Sequence, residues 1–140
     1  MPTYSSQAEI DAVVRGFELC TTDKTAFKHQ DHLTVAVCYL RETTVEKAIE
    51  KMREALLRFV DHHKVDPQKY NETITVFWFR MVADAMGTMP AELTMLDQCN
   101  RIIERFSSAG LVMDYYSSDL LFSERARGEF VDPDLKDWRS

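Results

Sequence analysis

Apolar residues recur along this chain at three- and four-residue spacing, the period of helices that turn one face to a core. Ile10, Val13, Val14 and Phe17 follow Ser6-Gln-Ala-Glu9, which fits a capping box with Ser6 as N-cap. They predict a first helix from residue 7 to about 21, followed by a polar connection over Thr21 to Thr25. Leu33, Ala36, Val37 and Leu40 predict a second helix over residues 29–42. His29 and His32 continue its apolar face toward the N-terminus, so both imidazoles are expected to point inward. Thr43-Thr-Val-Glu46 repeats the capping-box pattern. The helix behind it sets Val45, Ala48, Ile49, Met52, Leu56, Phe59 and Val60 against a charged face of Glu46, Lys47, Glu50, Lys51, Glu54 and Arg58. Pro67 then bars the chain from continuing as a helix.

Residues 70–87 break this alternation of faces. Ile74, Val76, Phe77, Trp78, Phe79, Met81, Val82 and Ala83 leave no polar side, and a helix apolar all round belongs inside a fold. Arg80 and Asp84 interrupt the run and make it too short to span a membrane. Gly87 is expected to end the helix at the residue just past its C-cap. Thr88 and Pro90 suggest the start of the next helix, with Leu93, Leu96, Cys99, Ile103 and Phe106 as its inner stripe. Residues 111–117 read as irregular or briefly extended. Ser117 or Ser118, then Ser123, are placed to start short helices, and Pro133 forces an extended tail. The chain therefore predicts an all-α, single-domain bundle over residues 1–140. It has about five long helices and one or two short C-terminal ones, around a central helix at about 72–86.

Composition narrows the function. With 140 residues, 45% of them hydrophobic, the chain can bury a real core. A net charge of −6 argues against partners with phosphate backbones and against anionic membrane surfaces. Residues 1–7 show no basic region followed by an apolar run, so no signal peptide is expected and a cytoplasmic location is. Cys20, Cys38 and Cys99 are far apart, which suggests buried free thiols in a reducing compartment. The four glycines form no phosphate-binding loop, and neither G-x-S-x-G nor H-E-x-x-H occurs.

What remains is His29-Gln-Asp-His32, two imidazoles on one helix face, together with Glu72 and Thr73, polar groups entering the core with the central helix. Buried polar groups need partners, and the histidines are the expected ones. Such a cluster could line a small-molecule pocket, with Tyr70, Asn71 and Tyr116 as further contacts. It could also hold a metal ion through His29, His32 and Glu72, act as an acid or base, or simply lock helix register. The identity of any cofactor is left open. Tyr115, Ser117, Arg125 and Arg127 are secondary candidates. Arg80 is expected to pair with Asp84 one turn on.

Three segments resemble pieces of a family of short bacterial all-helical proteins without an assigned function. They are Phe27-Lys-His29-Gln-Asp-His32-Leu33, Tyr70-Asn-Glu72-Thr73-Ile-Thr75, and Leu121-Phe-Ser123-Glu-Arg-Ala126-Arg127 with Phe130-Val-Asp-Pro133-Asp134. The resemblance covers residues from about 25 to 135. It implies that the segments meet around one polar pocket but supplies no activity. Where that family usually carries a His, this chain has Asn71, a poor ligand for a borderline metal, so no bound metal is expected. The expected function is binding of a small molecule among His29, His32, Glu72 and Thr73, with turnover left open. A scaffold or interaction protein is the alternative. A homo-oligomer is also left open.

Overall fold

The computed structural model describes residues 2–137, and among these the chain is all-α with no strand. Five long helices come first: α1 (Gln7–Glu18), α2 (His29–Glu42), α3 (Val45–His62), α4 (Glu72–Gly87) and α5 (Met95–Arg105). Three short ones close the fold: α6 (Val112–Tyr115), α7 (Ser118–Leu121) and α8 (Glu124–Gly128). Single 3₁₀ turns at Pro67–Lys69 and Ala109–Leu111 lead into α4 and α6.

Two helices share the centre. α2 packs against α1, α3, α4 and α5, and every residue from Leu33 to Tyr39 is buried. α4 lies against α2, α3 and α5 on one side and against α6 and α8 on the other. Its residues Val76, Phe79, Val82 and Ala85 join the main core, while Phe77 joins a smaller C-terminal cluster with Val112, Tyr116, Leu121 and Val131. That division explains why α4 has no polar face: it packs apolar neighbours on opposite sides. In the main core Phe17 stacks on Phe27 with ring centroids 4.4 Å apart and touches Phe59 at 5.5 Å. Burying a side chain of that size is worth about 2–3 kcal/mol.

The helix ends differ from several sequence expectations. Ser6 does not cap α1 with its side chain; instead Glu9 reaches back and accepts from the Ser5 N–H at 2.9 Å. α1 stops at Glu18, because Cys20 takes a left-handed conformation (φ 59°) and the Thr21 N–H bonds the Gly16 carbonyl at 2.9 Å. Lys64 (φ 55°) does the same after α3, where the Val65 N–H bonds the Val60 carbonyl. Both ends are Schellman motifs built on residues other than glycine. Gly87, expected in that role, is the last helical residue and has no positive φ, since the Thr88 hydroxyl and N–H take up the Ala85 carbonyl. Thr44 rather than Thr43 caps α3, accepting from the Lys47 N–H. α5 begins at Met95, not near Pro90. Thr94 and Asp97 form a reciprocal capping box there, which outcompetes the Thr88–Pro90 signal. Ser117 and Ser123 cap α7 and α8 as their positions suggest. Residues 111–115 are helical rather than extended.

Candidate functional site

The polar residues at the start of α4 are engaged, but not by the histidines. Glu72 accepts a bidentate pair from Arg53 of α3, Nε to Oε1 at 2.8 Å and Nη2 to Oε2 at 2.6 Å, and the Tyr70 hydroxyl donates to Oε1. Burial alone would raise the Glu72 pKa, but the hydrogen bonds from Arg53 and Tyr70 and the Arg53 charge outweigh it, and the carboxyl titrates below its ordinary range. Burial and the adjacent Glu72 raise the Tyr70 phenol, so it stays a donor.

Thr73, fully buried, fastens the tail. Its hydroxyl faces the carbonyls of Ala126 at 2.8 Å and Glu129 at 2.9 Å and accepts from the Val131 N–H at 3.2 Å. Asn71 spends both ends of its amide. Oδ1 caps α4 by accepting from the Ile74 N–H, and Nδ2 donates to the Leu121 carbonyl at 2.8 Å. Tyr116 donates to the Val131 carbonyl at 2.6 Å, and burial pushes its phenol up to about 12. Ser117 bonds Asp134, Arg125 pairs with Glu129, and the Arg80 guanidinium lies over the Phe130 ring at 4.6 Å instead of closing onto Asp84. The contacts of Asn71, Thr73 and Arg80 hold the C-terminal segment onto α4, and the others brace the segment internally. The expectation that His29 and His32 partner Glu72 and Thr73 is therefore corrected: the partners are Arg53, Tyr70 and the backbone of residues 126–131.

Since Arg53 is 38% exposed and can turn to water, the loss on Glu72→Gln should be moderate, about 1 kcal/mol in urea unfolding near neutral pH. The sign follows from the lowered carboxyl: its contribution is present above the unfolded value of about 4.3 and disappears as pH falls through the folded one. Wild-type and Glu72→Gln stabilities should therefore converge in acid. An undiminished gap at low pH would refute the ion-pair account.

The histidines meet a different environment. His29 Nε2 donates to the Phe106 carbonyl at the C-cap of α5, 2.8 Å away, and the ring lies 4.7 Å from Trp78. Because a carbonyl only accepts, Nε2 carries the proton. His32 packs on Phe27 at 4.4 Å and makes no hydrogen bond among the described residues. Burial, then the neighbouring His29, lowers its pKa to about 4, so at neutral pH it is an uncharged imidazole.

Both rings line a cavity of about 580 Å³ where the main core and the C-terminal cluster meet. The volume lies within the range of about 300–1,000 Å³ usual for small-molecule sites. Phe27, Leu33, Leu56, Phe59, Ile74 and Trp78 supply apolar wall, and Tyr70, Asn71 and Thr75 also border it. Lys24, Lys69, Ala109, Met113 and Phe122 are the exposed members of the lining. Of the residues singled out in the sequence, the cavity gathers His29, His32, Tyr70 and Asn71; Glu72, Thr73 and Tyr116 lie outside its lining. Sequence reasoning missed Phe27, Trp78 and the two lysines as lining residues, and Arg53 as the partner of Glu72. Only Arg53 left a trace, a cation beside the apolar stripe of Ile49, Met52 and Leu56.

Among the described residues no three His, Cys, Asp or Glu side chains are grouped to share a metal ion. Cys20, Cys38 and Cys99 are buried and free. No helix among the described residues is long and apolar enough to cross a membrane. No family model matches the chain, and no curated protein or solved structure matches it either.

Proposed function

We propose that the protein binds a small molecule with an apolar body in this cavity, with His32 as its principal polar contact and Tyr70 and His29 beside it. The observation that carries the reading is His32 itself. A half-buried imidazole that makes no hydrogen bond among the described residues borders an otherwise largely apolar cavity, and its nitrogens are open to a hydrogen bond from whatever fills that space. A ligand with one acceptor or donor on an apolar frame would supply that bond. For Glu72, Asn71 and Thr73 the scaffold alternative has the better support, because each is already engaged within the chain. A metal-dependent enzyme using His29, His32 and Glu72 has little support. The Glu72 carboxylate is held by Arg53 and Tyr70 and lies outside the cavity lining that the two rings share.

The test uses a neutral apolar fluorophore, N-phenyl-1-naphthylamine, with Trp78 as energy donor from the cavity wall. One-to-one binding with quenching of Trp78 is expected. Leu56→Trp, a larger side chain on a half-buried lining residue, should weaken it roughly ten-fold by filling the space. Absence of saturable binding by the folded protein would sink the proposal.

A further inference from the structure

Charge is distributed unevenly between the cavity and the rest of the protein. The chain carries 23 acidic residues against 17 lysines and arginines. Yet no Asp or Glu lines the cavity, while Lys24 and Lys69 both do, and both are exposed. Neither ammonium is in an ion pair among the described residues. The two carboxylates nearest to them in sequence are occupied in their own turns. Asp23 accepts from the Thr25 N–H at 2.8 Å and hydroxyl at 2.7 Å, and Asp66 accepts from the Gln68 N–H at 3.0 Å. Two cations in no ion pair among the described residues therefore border an apolar cavity on an otherwise acidic protein. Met113 and Phe122, 36% and 54% exposed, add exposed apolar surface to the same lining.

Resting on the binding reading above, we infer that the natural ligand is a single-chain amphiphile with an anionic head, its head paired with Lys24 and Lys69 and its chain lying along Phe27, Leu56 and Ile74. The arrangement disfavours a cationic head, which the lysines repel. It also disfavours a wholly neutral ligand, for which two free ammoniums at the lining serve no purpose. A carboxylate and a sulfate or phosphate monoester share the chemistry the lysines recognise. Because His32 is uncharged at neutral pH, the lysines are what discriminates by charge.

The test compares four ten-carbon probes below their micellar concentrations, read by Trp78 fluorescence and by displacement of the naphthylamine dye: decanoate, decyl sulfate, decanol and decyltrimethylammonium. One or both anions should bind about ten-fold tighter than decanol, and the tighter of the two identifies the head group. The cation should bind weakest. Lys24→Gln and Lys69→Gln should each weaken anion binding roughly three-fold, and the pair about ten-fold, as expected for exposed ion pairs. Anion affinity should also fall with added salt while decanol binding does not. The lysine variants alter exposed side chains, and circular dichroism will verify that they fold. Decanol or the cation binding as tightly as the anions, or an anion affinity indifferent to the lysines, would overturn the charge assignment and leave the cavity reading standing. No displacement of the dye by any probe would likewise overturn this inference, whereas failure of the dye itself to bind would remove both.

Discussion

Between about pH 6.5 and pH 4 the protein should lose up to about 3 kcal/mol of folding stability through one side chain, His32. In the unfolded chain a histidine titrates near 6.5. In the fold, burial and then the neighbouring His29 bring His32 down to about 4. Over that interval the unfolded state binds a proton that the folded state refuses, so stability falls as pH drops. The contribution is complete above pH 6.5 and exhausted once the folded form also protonates. A pKa unit corresponds to about 1.4 kcal/mol, which sets the upper bound, and water entering the cavity would reduce the loss. Urea unfolding across this range will measure it in the wild type and in His32→Phe, which keeps an aromatic ring against Phe27 and removes the titration. The carboxylates contribute to both proteins alike, so the difference between the curves isolates His32. Parallel curves would show that His32 is solvated and would remove the main support for the cavity as a binding site. A ligand that bonds the neutral imidazole should move the His32 transition lower still, a shift that NMR titration can follow.

Thr73→Val should cost about 2–4 kcal/mol although it preserves the shape of the side chain. The hydroxyl is fully buried, shares its one proton between the Ala126 and Glu129 carbonyls and accepts from the Val131 N–H. Valine leaves those groups facing a methyl, and each buried group without a partner costs about 1–3 kcal/mol, with part of the loss relieved by movement of the tail. The damage should be local as well as global. The Val131 amide should exchange with solvent faster, since Thr73 is its hydrogen-bond acceptor, while amides in the middle of α2 keep their protection relative to global unfolding. Thr73→Ser, which restores the hydroxyl, should recover most of the stability. A loss below about 1 kcal/mol with the Val131 amide still protected would mean that the tail is held by its apolar contacts alone. Loosening the tail bears on the cavity too, because Leu121 and Phe122 in its lining precede the segment that Thr73 fastens.

Helix positions were legible in the sequence because the information is local. The spacing of Ile10 and Phe17, or of Met52 and Phe59, identifies a buried face without knowledge of what covers it. The caps at Ser117 and Ser123 were legible for the same reason, since a cap bonds an N–H three residues ahead. Where two local signals compete, the sequence does not rank them. Thr88 with Pro90 and Thr94 with Asp97 both describe a helix start, and the second prevails because its two bonds are reciprocal. Chain reversal at Cys20 and Lys64 carries no glycine and was invisible, because no residue type there marks the left-handed conformation that the closing Thr21–Gly16 and Val65–Val60 bonds accompany.

The sequence by itself determined that the protein is an all-helical bundle, that polar groups enter the core at Glu72, Thr73 and Thr75, and that His29 and His32 turn inward. Only the tertiary structure decided who meets whom. Glu72 is met by Arg53 from the neighbouring helix, Thr73 by backbone from the far end of the chain, and His29 by the end of α5. The cavity is less legible still. Its lining runs from Lys24 to Phe122, and it is a gap left where two apolar clusters fail to close on each other. A side chain's burial follows from its position on a helix face. A void depends on the separation of several helices at once, and no residue pattern along the chain encodes that distance.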